Sequence, residues 1–427
     1  MRLRMEKVTA KTMIKLIIRD RTHIKHVKNI LEEHKWLNKS KKIDNHQGVF
    51  TIYTTLTLLP TILSGYEYGE YEETPNQEGT GKKTLQFIVE EYCVRNGIDV
   101  LEFPKRWSLY PPMLLFNSSL TFSSNTNTNT NTNTNTNLNG DISLPSELCE
   151  ELLKNQLDLF GTSNITHIAI NKPIIESDIM RRPHNIVPLY GDFGPRLPLE
   201  DYRPTAKDFQ NAFWCHVVQN GIWQTWAPLY TMFSRGNIKE KKRILDNYKN
   251  LQGTVVMDLY CGIGYFSLSY LRNGAKLLCW ELNPWSVEGF CRAMEHAGYK
   301  YRLFQETDTF DIIALNDVDA CVFLESNEKV LNRLQNVQRH SLRISHINLG
   351  LLPTSQPSWP IVNEVVHIYS NTDPLVHVHE NVHVEDFEKL GKKIEANFIR
   401  GEVIHQEKVK TFAPDVWHVV YDVRVRK

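Results

Sequence analysis

One segment constrains the fold of this chain more than any other: a buried strand that runs into a glycine turn and then into a helix. It reads Val-Val-Met-Asp-Leu-Tyr-Cys-Gly-Ile-Gly-Tyr-Phe over residues 255–266. Gly262 and Gly264 let the backbone pass close to a ligand, because a Cβ at either position would obstruct the turn and the approach. Nineteen residues after Gly262, Glu281 ends the next predicted strand, where its carboxylate can accept hydrogen bonds from two ribose hydroxyls. The segment therefore predicts a nucleoside-cofactor site.

The glycine spacing distinguishes between two classes of cofactor. NAD-dependent enzymes share the strand, the turn, the helix and the terminal acid, but their turn carries GxGxxG, and the third glycine is absent here. Asp258, which precedes the turn, is more typical of an S-adenosylmethionine site. A GxG sequence alone is also explained by a tight structural turn, so the prediction depends on the whole strand, turn, helix, strand and acid pattern.

The elements around this segment alternate between strands and helices. Strands are predicted at 254–260, 276–282, 402–412 and 416–425, and helices at 265–272 and 287–297. Such alternation implies a parallel sheet with helices on its faces, and the last two strands form a closing antiparallel hairpin. We therefore predict an α/β protein with a class I methyltransferase-like Rossmann fold, mostly parallel with an antiparallel edge strand, plus a smaller α+β N-terminal domain.

The amino-terminal part is predicted to be a separate region that ends near residue 200. A strand at 13–20, a helix at 22–37 and a strand at 49–58 predict a βαβ unit at its start. Residues 183–195 are rich in turn formers and are predicted to join the two regions. The stretch 123–140 contains an alternating Asn-Thr tract that has no apolar face to bury, so it is predicted to be disordered.

Charge and composition limit the partners and the compartment. The formal net charge is zero, which argues against a protein that coats nucleic acid non-specifically. Residues 1–45 nevertheless carry thirteen Lys or Arg against five Asp or Glu, which fits either a nucleic-acid-binding face or solvated helices. Seven cysteines without a CxxC pair, and a start without an uninterrupted apolar segment, predict a cytoplasmic protein. The longest apolar patch, 56–63, is too short to span a bilayer.

Several separated stretches resemble the tRNA wybutosine-synthesising protein 2 family, which is related to the tRNA guanine-N1 methyltransferases. Besides the glycine turn they are QTWAP at 224–228, TMFSRGNIKEK at 231–241, NLGLLPTS at 348–355 and HVHENV at 377–382. The resemblance covers most of residues 183–427. It implies an S-adenosylmethionine-dependent transferase domain at 201–427 and an accessory, tRNA-binding region at 1–200.

The resemblance also implies which residues bind the donor. Ser234 and Lys241 would touch the cofactor from the helix that precedes the sheet, and Lys241 could pair with the methionine carboxylate. Ser234 is at a predicted N-cap and Lys241 lies two turns further on, on the same side of that helix. The predicted cofactor-binding residues are Ser234, Lys241, Asp258, Gly262, Gly264, Glu281, Ser326 and Asn327.

The adenine contact is the position where the chain departs from the family pattern. The family usually places an acid followed by Asn at the end of the third strand. Here Ser326-Asn327 follow a strand predicted at 320–325, and serine can accept the same hydrogen bond without the charge. The rival alignment uses Asp308-Thr309; we prefer Ser326-Asn327 and treat 300–318 as an insertion.

The bound pose of S-adenosylmethionine decides the reaction, because its sulfonium has three electrophilic carbons. The resemblance implies transfer of the 3-amino-3-carboxypropyl group to C7 of the 4-demethylwyosine base at position 37 of tRNA(Phe), with release of methylthioadenosine. The partner is then the tRNA(Phe) anticodon loop. Asn348 is a candidate for positioning the base or the transferred group, and no general base is assigned. The alternatives are a tRNA guanine-N1 methyltransferase and a non-catalytic tRNA-binding subunit.

A group of histidines raises the question of a metal site. The group comprises His367, His377, His379 and His383, and a His-x-His sequence on a strand places two imidazoles on one face. No nearby Cys or spaced carboxylate completes a ligand set, so we predict no metal.

Overall fold

The computed structural model describes residues 11–38, 41–46, 48–73, 84–102, 104, 106–117, 121–124, 144–171, 186–198 and 202–426. The chain divides into two compact units, Met1–Lys83 and Thr84–Lys427. The division thus falls at residue 83, and the assignment of residues 1–200 to one accessory region stays a prediction. The Asn-Thr tract lies outside the described residues from residue 125 onward.

The first unit is a four-stranded sheet with one helix. Its elements are β1 (Lys11–Ile18), α1 (His23–Glu33), β2 (Asp44–His46), β3 (Val49–Tyr53) and β4 (Glu67–Glu73). The strand order is β2-β3-β1-β4 and every neighbouring pair is antiparallel. The predicted βαβ pairing is therefore wrong, because the extra strand β2 precedes β3 and the chain reverses at Gly48, where φ is +86°. Val27 and Leu31 of α1 pack into the core of this unit.

The second unit begins with a smaller sheet. Its elements are α2 (Leu85–Asn96), β5 (Ile98–Glu102), β6 (Trp107–Tyr110), β7 (Met113–Phe116), β8 (Thr121–Ser124), α3 (Ser146–Lys154), α4 (Gln156–Phe160), β9 (His167–Asn171) and β10 (Ile186–Tyr190). The order β10-β9-β7-β6 makes β10 an edge strand, so Ile186–Tyr190 of the segment 183–195, predicted to be a linker, is part of a sheet. One face of this sheet packs against Trp226 and Ile263, next to the glycine turn.

The rest of the second unit is built on one large sheet. The elements are α5 (Ala206–Asn211), β11 (Cys215–Gln219), β12 (Ile222–Trp226), α6 (Ile238–Asn247), β13 (Val255–Asp258), α7 (Ser267–Arg272), β14 (Lys276–Glu281), α8 (Pro284–Ala297), β15 (Tyr301–Gln305), β16 (Ala320–Leu324), α9 (Val330–Leu334), β17 (Ile344–Leu349), α10 (Trp359–Tyr369), β18 (Leu375–His383), α11 (Phe387–Asn397), β19 (Gly401–Ala413) and β20 (Val416–Val425).

The order of this sheet is β15-β16-β14-β13-β17-β18-β20-β19. Strands β15 to β18 are parallel, and β20 and β19 close the sheet as an antiparallel hairpin, so the predicted fold class is confirmed. Strand β16 is the neighbour of β14, whereas β15 is added outside it. Both faces of the sheet are buried, and for that reason its parallel strands read as nearly continuous apolar runs.

Candidate cofactor and transfer site

The glycine turn follows β13 at the carboxyl edge of the large sheet, where ligands bind in open α/β folds. Gly262 and Gly264 have φ values of +54° and +77°, a region that L residues with a side chain rarely adopt. A Cβ on Gly264 would also collide with the ring of Phe290, and one on Gly262 would come within 2.9 Å of Tyr265. The turn therefore requires glycine at both positions.

Glu281 ends β14 beside this turn. Its carboxylate accepts hydrogen bonds from the backbone N–H of Gly262 (3.0 Å) and of Asn283 (2.8 Å). Burial raises the pKa of Glu281, although these backbone hydrogen bonds act in the opposite direction. A carboxylate has about four lone-pair sites, so these hydrogen bonds leave acceptor capacity for a ribose hydroxyl. The position of Glu281 supports its predicted role.

Asp258 and Asn348 lie behind the turn and are fully buried. Asp258 accepts hydrogen bonds from Ser267 Oγ (2.6 Å) and Asn348 Nδ2 (3.1 Å), and burial raises its pKa. These buried hydrogen bonds of Asp258 therefore stabilise the glycine turn. Asn348 contacts Asp258 while its Oδ1 has no partner among the described residues, and its role in positioning the base stays a prediction.

The end of β16 brings Ser326 and Asn327 to the same edge. Asn327 Nδ2 donates to the carbonyl oxygen of Leu259, at the start of the glycine turn (2.9 Å), and Ser326 Oγ accepts from the N–H of Glu328 (3.3 Å). Asp308 follows the outer strand β15 and accepts from the N–H of Gln305 (2.7 Å). This position favours Ser326-Asn327 over the alternative at Asp308-Thr309, and it supports the interpretation of 300–318 as an insertion that adds β15.

Ser234 does not cap the helix that carries Lys241. Ser234 occupies the N-cap position of a single 3-10 turn, Arg235–Asn237, that leads into α6 at Ile238, and its side chain makes no capping hydrogen bond. Ser234 Oγ instead accepts a hydrogen bond from Lys410 Nζ (2.9 Å), and its N–H donates to Tyr265 Oη (3.2 Å). Ser234 thus lies between β19 and the glycine turn.

Lys241 is 2% exposed. Its Nζ donates to Gln224 Oε1 (2.7 Å) and lies 4.8 Å from the ring centre of Phe233, and no carboxylate of the described residues forms an ion pair with it. Burial, and then the charge of Lys410, lowers the pKa of Lys241 to about 7. Burying an ammonium group without an anion costs free energy, so an anionic ligand would be stabilised at this position.

The histidines of the HVHENV stretch contact residues distant in sequence. His377 pairs with Asp422 (Nδ1 to Oδ1, 2.7 Å) and with His346 (Nε2 to Nδ1, 3.0 Å). His379 Nδ1 lies 2.9 Å from His418 Nε2. In the part of the chain that the structure describes, no group of three or more His, Cys, Asp or Glu side chains could hold a metal ion.

Sequence reasoning missed Lys410, His346 and His418. Lys410 and His418 belong to the terminal hairpin, and only the register of β18, β20 and β19 brings them to the carboxyl edge of the sheet. No local motif indicates this arrangement. The available signal was the row of polar residues inside otherwise apolar strands, since buried polar residues require partners.

Together the sheet order, the glycine turn and Glu281 define a class I methyltransferase-like transferase domain. Residues 217–331 match the family model described as TRM5/TYW2 methyltransferase domain. The chain belongs to the tRNA wybutosine-synthesizing protein 2 family. The predicted family and the prediction of an S-adenosylmethionine-dependent transferase are therefore confirmed.

Two relatives document this assignment, and one solved structure is similar in fold. The tRNA wybutosine-synthesizing protein 2 of Saccharomyces cerevisiae is 38% identical over 366 residues, which cover 75% of this chain and 74% of the relative. The protein of the same name from Schizosaccharomyces pombe is 38% identical over 83% of this chain and 80% of its own. The solved complex of aTrm5 and tRNALeu is similar in fold, with a TM-score of 0.50, 14% identity and coverage of 97% of this chain and 100% of that one.

Proposed function

We propose that this chain transfers the 3-amino-3-carboxypropyl group of S-adenosylmethionine to C7 of the 4-demethylwyosine base at position 37 of tRNA(Phe), releasing methylthioadenosine. The 38% identity to the two yeast proteins named for wybutosine synthesis supports the substrate, because it extends over at least three quarters of this chain. The cytoplasmic location belongs to the same proposal. Among the described residues, no helix is long and apolar enough to cross a membrane.

The observation that carries the proposal is the position of Lys241 relative to Glu281. Glu281 holds the glycine turn on the side of β14, and the buried Lys241 lies on the other side, next to the ring of Tyr265 (5.5 Å). The two charges are thus suited to opposite ends of one ligand, a ribose at Glu281 and a carboxylate at Lys241. S-adenosylmethionine has this arrangement of groups.

The remaining predicted residues are proposed to belong to the same site. Ser326 and Asn327 follow β16, and we propose that they bind the adenine. Ser234, which accepts a hydrogen bond from Lys410, is proposed to bind the methionine carboxylate with Lys241. Gly262 and Gly264 leave room for the nucleoside, and Asp258 fixes the turn through Ser267. We propose these residues as the cofactor-binding set.

The reaction requires little acid or base chemistry from the protein. C7 of the base attacks the γ-carbon of the methionine side chain, and the carbon–sulfur bond breaks with its electron pair on sulfur. The sulfonium becomes the neutral thioether of methylthioadenosine, and C7 then loses its proton to water, which restores the aromatic ring. Because the sulfonium is already an activated leaving group, the alignment of the γ-carbon with the base supplies most of the catalysis.

The tRNA partner is proposed to contact the basic amino-terminal region. Helix α1 exposes the side chains of Lys25 and Lys28, whereas Val27 and Leu31 of the same helix are buried. Cations on an exposed helix face can contact phosphates, and such contacts weaken as salt rises. Replacing Lys25 and Lys28 should therefore reduce tRNA affinity and its salt dependence together.

Isotope labelling tests the reaction directly. Purified protein is incubated with tRNA(Phe) that carries the tricyclic precursor and with S-adenosylmethionine labelled either in the methyl or in the carboxyl carbon. We expect the carboxyl label on the RNA and methylthioadenosine in solution. Methyl label on the RNA would instead identify a guanine-N1 methyltransferase, and failure to bind the donor would identify a non-catalytic tRNA-binding subunit.

A further inference from the structure

The large sheet contains two buried histidine pairs that differ in one respect. In the first pair, both ring nitrogens of His377 are engaged, one by Asp422 and one by His346. In the second pair, His379 Nδ1 and His418 Nε2 face each other at 2.9 Å, but His379 Nε2 and His418 Nδ1 have no partner among the described residues. Both rings are 1% exposed. Unpaired buried nitrogens are costly, and a ligand is one reason for a protein to keep them.

The second pair lies at the ligand-binding edge of the sheet. His377 is opposite Asn348 near the end of β17, and His379 is two residues further toward the carboxyl end of β18. The ring centres of His379 and Phe266 are 5.0 Å apart, and Phe266 follows the glycine turn by two residues. The pair is therefore next to the turn that would hold the sulfonium donor.

A polar row connects this pair to the proposed carboxylate site. Across the antiparallel strands, Asn381 is opposite His418 and His418 is opposite Lys410, so their side chains share one face. Lys410 Nζ donates to Ser234 Oγ, and its charge contributes to the low pKa of Lys241. Asn381 Oδ1 is also buried without a partner. The row and Lys241 thus combine two ammonium groups with several buried hydrogen-bonding atoms that have no partner among the described residues.

The chemistry of the pair matches one kind of ligand. Burial, and then the charge of Lys410, lowers the pKa of His418 to about 3, and burial also places the pKa of His379 well below its usual value, so both rings are neutral. Two neutral imidazoles that share one N–H between them leave one outer nitrogen as a donor and the other as an acceptor. This holds for either tautomer. An α-amino acid group needs such a combination, an acceptor for its ammonium and donors for its carboxylate.

We propose that His379, His418 and Asn381 bind the α-amino group of the aminocarboxypropyl arm of S-adenosylmethionine, beside Lys241, Ser234 and Lys410, which bind its carboxylate. This inference rests on the proposed function. With the nucleoside fixed at Glu281 and the head of the arm fixed at this row, the carbons between them cannot rotate freely. The arm is then presented to the base in one orientation, and this sets which carbon reacts.

The test compares two ligands that differ only by this arm. Calorimetry measures the affinity of His379→Leu, His418→Leu and Asn381→Ala variants for S-adenosylmethionine and for methylthioadenosine, which lacks the arm. For each variant we expect about tenfold weaker binding of S-adenosylmethionine or more, and less than about twofold change for methylthioadenosine. Asn381 is half-buried, so its variant remains informative if a histidine variant does not fold.

Three controls separate this inference from packing and from the proposed function. His346→Leu alters the first histidine pair, His346 and His377. It should leave the ratio of the affinities for S-adenosylmethionine and methylthioadenosine unchanged. Glu281→Gln should weaken the binding of both ligands, since both contain the ribose. Decarboxylated S-adenosylmethionine keeps the amino group and lacks the carboxylate. Its affinity should therefore fall in His379→Leu and stay unchanged in Lys241→Met.

The outcomes are distinct. Equal weakening of both ligands by folded His379 and His418 variants, or unchanged affinity for S-adenosylmethionine, would overturn the amino-group site while leaving the proposed function intact. If the unmodified protein binds neither ligand, the proposed function fails and the inference fails with it. Thermal unfolding of each variant establishes that the measured protein is folded.

Discussion

Arg243 of α6 forms a bidentate ion pair with Asp422 of β20: Nη1 lies 2.5 Å from Oδ2 and Nη2 lies 2.9 Å from Oδ1. Asp422 also accepts from Tyr248 Oη (2.9 Å) and pairs with His377. These contacts attach α6, which carries Lys241, to β20, the strand that also carries His418. The position of the proposed carboxylate site therefore depends on this buried ion pair.

Asp422→Asn should strongly destabilise the second unit. The change leaves the nearly buried Arg243 with Glu240 as its only charged partner among those observed, and breaking a buried pair in this way costs about 3–5 kcal/mol. Urea unfolding followed by circular dichroism measures the loss. Asp246→Asn, which breaks the exposed pair with Lys242, is the matched control and should leave stability nearly unchanged, because water and salt screen exposed ion pairs. Equal losses would show that the buried pair has no special role.

Stability should also fall in acid. Burial alone would raise the pKa of Asp422, but His377 and Arg243 outweigh it and hold this pKa well below its usual range. Burial also lowers the pKa of His346, His379 and His418. A group with a lowered folded-state pKa stabilises the protein above its unfolded pKa, so stability should decline below about pH 6.5 for the histidines and below about pH 4 for Asp422. The free energy of unfolding is measured between about pH 3 and pH 8, a range that extends about one unit beyond both values. A flat profile contradicts the expectation.

Gly264→Ala should abolish the nucleoside site. The added Cβ is strained at φ +77° and collides with the ring of Phe290. Gly298, at the end of α8, has φ +78° and no atom within 4 Å of an added Cβ, so Gly298→Ala is the matched control for backbone strain alone. The control should lose about 1 kcal/mol of stability and keep donor binding, whereas Gly264→Ala should lose binding as well. Normal donor affinity in Gly264→Ala would mean that the turn does not approach the ligand.

Glu281→Ala should weaken the binding of both S-adenosylmethionine and methylthioadenosine by about 1–3 kcal/mol, the cost of removing a charged hydrogen-bond partner. It also releases the N–H of Gly262, which Glu281 holds in the turn. Glu295→Ala, at an exposed position near the end of α8, serves as the control. Calorimetry with both ligands measures the effect. Unchanged affinity would remove Glu281 from the site.

Much of the transferase fold could be predicted because its signals are local. The strand before the glycine turn, the acid that ends β14 and the closing hairpin all follow from apolar runs and turn residues, and the structure contains them. Strand β16 was also found within one residue. These elements are determined by side chains close in sequence, which is what periodicity measures.

The features that were missed depend on non-local register. The reversal before β3 depends on a three-residue strand too short to show periodicity, and the row Asn381, His418 and Lys410 depends on the pairing of three strands. Ser234 lies at the N-cap position that its residue type predicts, but its hydroxyl accepts a hydrogen bond from Lys410 and caps no backbone N–H. A residue type indicates what a side chain can do, and the tertiary structure selects its partner.

Binding of S-adenosylmethionine should take up protons near neutral pH. In the free protein, burial and the charge of Lys410 lower the pKa of Lys241 to about 7, and a bound carboxylate would favour the charged form and raise this pKa. The affinity should therefore be constant below about pH 7 and fall as pH rises above it, by up to about tenfold per unit. Methylthioadenosine has no carboxylate, so its affinity should not follow this profile. Calorimetry in two buffers of different ionisation enthalpy measures the proton uptake directly, and Lys241→Met should eliminate it. A pH-independent affinity for the donor in the unmodified protein would show that Lys241 does not meet the carboxylate.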